Sequence, residues 1–138
     1  MSDRARFWLR WPLSLLFIAS GVGHFVKSAL YMQMMPPWLP APRQLVLLSG
    51  AVELVLAVLL FSPRHERAAA WGLFATLIAI FPANIQMYLT AGTAASPFPD
   101  LSPAWAAARL PFQAVLLAWA YALARPKDPG ARCDSRVQ

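Results

Sequence analysis

The sequence predicts an all-α protein: a four-helix transmembrane bundle that forms a single domain. Hydrophobic residues make up 59% of the 138 residues and charged residues only 13%, and the mean hydropathy is +0.49. Four apolar stretches also approach the ~20 residues that cross a hydrocarbon core. We expect helices at about 8–26, 44–61, 67–89 and 105–123 within a domain spanning 1–125, followed by a polar cytoplasmic tail at 126–138.

The first predicted helix follows a group of arginines and could be mistaken for a cleaved signal peptide. Trp8, Trp11 and Pro12 lie at its start, and such residues are unusual in a signal peptide. Its removal would also leave three spans. We therefore expect this helix to be retained.

The connection at 27–43 is rich in proline and methionine, and it is too apolar for a freely solvated loop. We expect it to lie in the membrane interface or to fold over a pocket as a lid. Met32, Met34 and Met35 suit a cuprous ion in principle. Packing of methionine and aromatic side chains at headgroup level is the favoured alternative.

The remaining helices are separated by one short and one longer connection. Residues 62–66 form a predicted tight turn, and 90–104 form a second proline-rich connection. Short connections place successive helices antiparallel to one another, as in other bundles.

Basic residues are unevenly distributed around the four spans, which sets orientation through the positive-inside rule. Only Lys27 and Arg43 flank the spans on the other side, so we expect both termini in the cytoplasm and the 27–43 loop outside. The same distribution accounts for the net charge of +6 without nucleic acid. Nine of the twelve basic residues share the side of the termini: Arg4, Arg6, Arg10, Arg64, Arg67, Arg125, Lys127, Arg132 and Arg136.

Each span contains one polar residue that is costly in lipid: His24, Glu53, Asn84 and Arg109. At ~1.5 Å of rise per residue, all four belong to the outer half of the bundle. Gln113 shares a helical face with Arg109. Ionisable groups within spans often mark functional sites, so we expect these five to line one ligand-binding pocket.

The two charged members of this set, Glu53 and Arg109, would each be very costly alone, so we expect them to pair with each other. The alternative is that they only hold the bundle together. Asn84 and Gln113 are equally suited to bonding between helices and to contacting a ligand.

Several other kinds of chemistry have no support in the sequence. There is no cluster of histidine, cysteine and carboxylate at metal-ligand spacing, no phosphate-binding glycine loop and no serine nucleophile elbow. His24 and His65 are expected on opposite sides of the membrane. We therefore expect no metal site, and no catalytic residue can be named.

A set of ordered motifs resembles a known family. These are Gly23-His24-Phe25, the proline-rich loop, the carboxylate at Glu53 in its small-residue context, Phe81-Pro-Ala-Asn-Ile85, and 109–113, which reads RLPFQ. Together, over about 8–125, they are similar to the DoxX family of small bacterial membrane proteins. The resemblance implies a multi-pass protein of the bacterial cytoplasmic membrane that is associated with redox complexes and quinone-linked oxidation.

The thiol chemistry of some relatives is not expected here. Relatives that support disulfide formation use paired cysteines, whereas this chain has a single cysteine, Cys133. An internal disulfide is therefore excluded.

Three functional classes follow. The chain is expected to be a redox-associated membrane subunit that binds a quinone or a similar lipophilic carrier, with a redox protein as partner. Alternatively, it moves a small molecule or protons, which for four helices would need a homo-oligomer. A third alternative is a non-catalytic membrane scaffold.

Overall fold

The computed structural model describes residues 3–93, 96 and 103–126. Four long helices, α1 (Asp3–Val26), α3 (Pro42–Leu60), α4 (Glu66–Thr90) and α5 (Pro103–Ala124), are accompanied by a short helix, α2 (Ser28–Gln33). The described residues contain no strand. The predicted all-α four-helix bundle is therefore confirmed, and the helix at α2 is an element that the sequence did not predict. The tail beyond 126 and much of the 90–104 connection lie outside the described residues.

Each of the four long helices is long and apolar enough to cross a membrane. Near the middle of each one, a large apolar side chain points away from the protein: Leu15, Val55, Ile78 and Val115 are 53–59% exposed. Surfaces of this kind are covered by lipid in a membrane protein. The fold is therefore that of a multi-pass membrane protein.

The bundle is built from two antiparallel helix pairs, α1 with α3 and α4 with α5. Small residues allow the first pair to approach closely: a Cβ added at Gly50 would lie 2.5 Å from the His24 Cβ. Between the pairs, Gly72 of α4 allows close contact with Leu56 of α3. Glycine at such positions lets helix backbones pack closely where lipid provides no hydrophobic driving force.

Local sequence explains several helix boundaries. Pro42 occupies the first turn of α3, where its missing N–H costs nothing. Ala41, just before it, has a φ of 50°. Glu66 begins α4 and places a carboxylate near the positive end of the helix dipole.

The bundle has two ends. The terminal end contains the start of α1, the turn between α3 and α4, and the end of α5; the loop end contains α2, the end of α4 and the start of α5. The main apolar core lies toward the terminal end and includes Leu13, Leu60, Leu73 and Leu123. A smaller cluster of Met34, Met87 and Ala106 closes the loop end.

Candidate functional site

A cavity of about 630 Å³ lies between these two apolar clusters. All four long helices contribute to its wall, and the segment containing α2 contributes further residues. All five site residues predicted from the sequence line the cavity: His24, Glu53, Asn84, Arg109 and Gln113. The structure thus brings the five together, while their role in ligand binding stays a prediction.

Glu53 is the most unusual of the five. Its side chain is fully buried, with 0% of the residue exposed. Neither carboxylate oxygen has a hydrogen-bond partner with good geometry among the residues that the structure describes. The Ser20 hydroxyl, which also lines the cavity, is close enough to interact with the carboxylate. Buried polar groups nearly always have partners, so one that lacks them and faces a cavity indicates a place for a ligand or water.

His24 is held in one orientation beside Glu53. Its Nδ1 lies 2.9 Å from the carbonyl oxygen of Val46 and 3.0 Å from the hydroxyl oxygen of Ser49. Since that hydroxyl itself donates to Val46, Nδ1 carries the hydrogen that the carbonyl accepts. The other ring nitrogen, Nε2, therefore faces Glu53, 3.6 Å from its Oε1.

This geometry allows His24 and Glu53 to share one proton. With one shared proton, the pair is either a neutral imidazole beside a carboxylic acid or an imidazolium beside a carboxylate. Both forms have no net charge, which limits the cost of placing the pair between membrane-spanning helices. A separation of 3.6 Å is too long for a hydrogen bond, so a small movement or an inserted ligand is needed to transfer the proton.

The expected pairing of Glu53 with Arg109 is wrong. No contact within 4.0 Å joins them; the only described charge partner of Glu53 is His24, and the Arg109 guanidinium instead donates to Met87 Sδ at 3.7 Å. Arg109 is an exposed residue at the edge of the cavity. A long arginine side chain can reach toward the interface, so Arg109 does not need the buried carboxylate as a partner.

Asn84 and Gln113 bond to each other across the α4–α5 pair. The Asn84 amide donates to Gln113 Oε1 at 2.6 Å, and the Gln113 amide donates to the Leu77 carbonyl at 2.5 Å. Pro82 lies in the same stretch of α4 and has no N–H to bond within the helix. The two amides therefore fix one wall of the cavity, and both still line it.

Tyr31 of α2 is a site residue that the sequence reasoning missed. Its ring lies 4.1 Å from the His24 ring, centroid to centroid, and it lines the cavity with Met34 and Met35. Burial, and then the nearby Glu53 carboxylate, raises the pKa of the Tyr31 phenol, so the hydroxyl stays protonated at neutral pH. The expected lid position of the 27–43 segment fits this placement.

The cavity reaches the sides of the bundle. Several of its lining residues lie in the middle of the helices and are exposed, and they are found on all four. Exposure at that depth faces the bilayer interior. The exposed lining residues at mid-helix are Leu16, Ala19, Leu48, Val52, Ala79 and Phe112.

A second polar cluster, at the terminal end, was also missed. Arg6 and Glu66 are each 3% exposed, and Arg6 Nε donates to Glu66 Oε1 at 2.6 Å. Arg6 also donates to the carbonyls of Leu123 and Arg125, at the end of α5. The sequence showed Arg6 only as a member of a basic flank and Glu66 only as the end of a turn.

The described residues contain no group of three or more histidine, cysteine or acidic side chains that could hold a metal ion. Met34 packs in an apolar cluster with Met87. The role of the other loop methionines stays a prediction.

Fold and cavity together define a class: a small multi-pass membrane protein with a polar cavity within the helix bundle. Residues 13–124 match the family described as Domain of unknown function (DUF8561), and the chain belongs to that family. The match covers all five predicted site residues. No curated protein and no solved structure matches the chain.

Proposed function

We propose that this protein binds a lipophilic small molecule with a polar head, of which a quinone is the favoured class, in the loop-end cavity. The observation that carries the proposal is the fully buried Glu53, whose carboxylate has no hydrogen-bond partner with good geometry among the described residues and faces a cavity of about 630 Å³. That volume lies in the range of small-molecule sites.

The cavity wall supports an amphiphilic ligand. Most lining side chains are apolar, including Leu16, Ile80 and Leu116, while a few polar groups converge on one region. Sites of this composition bury the body of a ligand and orient it through a few hydrogen bonds. The exposed mid-helix positions provide a route for the ligand to enter from the bilayer.

The polar groups suit the two oxygens of a quinone or quinol. Arg109 and Asn84 carry N–H donors for a carbonyl oxygen, and Tyr31 carries a neutral hydroxyl. Next to Tyr31, the His24–Glu53 pair can accept one of the two protons that a quinol releases when it is oxidised. The two electrons and the second proton would pass to a redox protein partner, because no further described group of this chain accepts them.

The proposed cellular setting rests on the charge pattern and the resemblance to the DoxX family. We place both termini in the cytoplasm, the loop end on the outer side, and the protein in the bacterial cytoplasmic membrane. In this setting the cavity opens to the outer half of the bilayer, where a membrane quinone is within reach.

The test is to purify the protein in mild detergent and identify co-purifying small molecules by native mass spectrometry and solvent extraction. Wild type is compared with Glu53→Gln, which keeps the side-chain volume. Glu66→Gln is the matched control, because it changes a buried carboxylate outside the cavity. A quinone or other lipophile retained by wild type and Glu66→Gln but lost from Glu53→Gln supports the proposal.

Two results would overturn it. Wild type that carries only bulk phospholipid, even in nanodiscs of fixed lipid composition that contain excess quinone, leaves the cavity without a ligand of this class. Equal retention by Glu53→Gln and wild type removes Glu53 from the site. Lower thermal stability of Glu53→Gln, with no change in bound molecules, would instead favour the scaffold.

A further inference from the structure

A second, smaller cavity lies at the terminal end of the bundle, with a volume of about 260 Å³. It is formed where the start of α1, the start of α4 and the end of α5 meet, so it is separate from the loop-end cavity. Among the described residues, three arginines and one carboxylate line it. The lining residues are Arg6, Pro63, Glu66, Arg67, Arg125 and Pro126.

The carboxylate in this cavity is already neutralised. Glu66 Oε1 accepts a hydrogen bond from Arg6 at 2.6 Å, and Glu66 Oε2 lies 3.7 Å from Arg10 Nη1. Glu66 therefore does not balance the charges of Arg67 and Arg125. Among the residues that the structure describes, the cavity retains an excess of positive charge next to apolar helix surface.

One of these two arginines is fixed in place by the backbone. Arg67 Nε donates to the carbonyl of Ala124 at 3.1 Å, which anchors the guanidinium beside the end of α5. That bond uses one of its nitrogens, and the guanidinium fork presents two more to an anion. Arg125 is exposed at the other side of the cavity.

The surroundings indicate the level of the lipid headgroups. Phe7, Trp8 and Trp11 on α1 are 41%, 68% and 43% exposed, and exposed aromatic residues at a helix end are typical of the membrane–water interface. Basic cavities between helices at this level bind the head groups of anionic lipids.

We propose that the terminal-end cavity binds the phosphate group of an anionic phospholipid, with Arg67 and Arg125 as its ligands. This site is additional to the proposed function of the loop-end cavity and does not depend on it. Inorganic phosphate has the same chemistry, so the experiment must distinguish the two sources.

The experiment is native mass spectrometry of the delipidated full-length protein, titrated with phosphatidylglycerol, phosphatidylcholine or inorganic phosphate. The double variant Arg67→Gln/Arg125→Gln is compared with Arg4→Gln/Arg64→Gln, which removes the same charge from exposed residues that do not line the cavity. At ~1 kcal/mol per arginine near anionic lipid, we expect roughly 25-fold weaker phosphatidylglycerol binding in the cavity variant. The control should bind within a few-fold of wild type.

Arg125→Gln alone keeps the test valid if loss of the Arg67 bond destabilises the protein, and it should weaken binding about fivefold. Equal losses of phosphatidylglycerol affinity in the two double variants would overturn the site. They would indicate instead a nonspecific attraction between basic residues and anionic lipid. Equal affinity for phosphatidylcholine and phosphatidylglycerol would also overturn it. Binding of inorganic phosphate alone, without preference for the lipid, would replace a lipid site with a phosphate site. Ligand retention in the loop-end cavity is measured in the same spectra.

Discussion

Each end of this bundle buries one carboxylate, and the two carboxylates differ in whether they have partners. At the terminal end, Glu66 has Arg6 at 2.6 Å and Arg10 at 3.7 Å. At the loop end, Glu53 has no hydrogen-bond partner with good geometry among the described residues and faces the large cavity. A satisfied buried charge indicates a structural role, whereas an unsatisfied one beside a cavity indicates a role that needs another molecule.

The largest loss of stability is expected when the Arg6–Glu66 ion pair at the terminal end is broken. Arg6→Gln would leave Glu66 with only the longer Arg10 contact and remove donors from the carbonyls that end α5. Loss of one partner of a buried ion pair costs about 3–5 kcal/mol. Thermal unfolding in detergent measures the loss, with the exposed Arg4→Gln as control. A melting temperature equal to that of wild type would show that the terminal-end cluster is not structural.

A smaller effect is expected from a steric change at the loop end. In Gly50→Ala the added Cβ would lie 2.5 Å from the Cβ of His24 and 3.1 Å from the Gly21 carbonyl, so α1 and α3 must separate. Overpacking of this kind costs about 1–3 kcal/mol.

The matched variant for this steric test is Gly23→Ala. Its Cβ would meet the Tyr31 hydroxyl at 2.9 Å, the end of a side chain that can move. A free energy of unfolding for Gly23→Ala that is equal to or lower than that of Gly50→Ala would contradict the close α1–α3 contact.

Glu53→Gln should change stability by less than about 1 kcal/mol, because the variant loses no described hydrogen bond with good geometry and removes a group that is costly to bury. Glu66→Gln should be clearly less stable, since Arg6 then loses its counter-charge. Parallel unfolding measurements of the two variants sharpen the comparison directly. If Glu53→Gln lowers the free energy of unfolding more than Glu66→Gln does, the two ends have been assigned the wrong roles.

The smallest effect is a pH dependence at Tyr31. Its raised pKa means that the folded protein holds the phenolic proton more tightly than the unfolded chain. The resulting stability is fully present below the unfolded pKa, about 10, and is lost as pH rises through the folded pKa. Tyr31→Phe should therefore lose stability less steeply on the alkaline side than wild type, with Tyr121→Phe as control. If the stability of wild type and of Tyr31→Phe falls equally at alkaline pH, the raised pKa that burial and then Glu53 give to Tyr31 is contradicted.

The fold was predictable because the length and hydropathy of an apolar stretch directly indicate a helix that can span a membrane. Each of the four long helices was located, although α1 begins at Asp3, before the expected residue 8. The short helix α2 was missed, since six residues between proline-rich segments give little periodicity. Its Tyr31 consequently remained unassigned.

The polar residues that line the cavity were predictable for a different reason. Polar groups in apolar helices must face protein, and these residues were expected at a similar depth in the membrane, so they were expected to lie close together. The partners within the cavity were not predictable. Depth leaves the rotation of each helix undetermined, and the rotation set by Gly50 and Gly21 brings His24 to Glu53. The Arg6–Glu66 bond was missed because it joins residues 60 positions apart at helix ends that hydropathy treats as flanks.

The sideways exposure of the loop-end cavity also determines how its occupancy should be expressed. A molecule that enters from the bilayer is supplied at its concentration in lipid, so the relevant affinity is a mole fraction of the membrane and not a molar concentration in water. Diluting the protein into detergent micelles lowers that mole fraction and empties the site even when the affinity is unchanged. Retention should therefore depend on the ratio of lipid to detergent, and nanodiscs of fixed composition are the setting in which occupancy has a defined meaning.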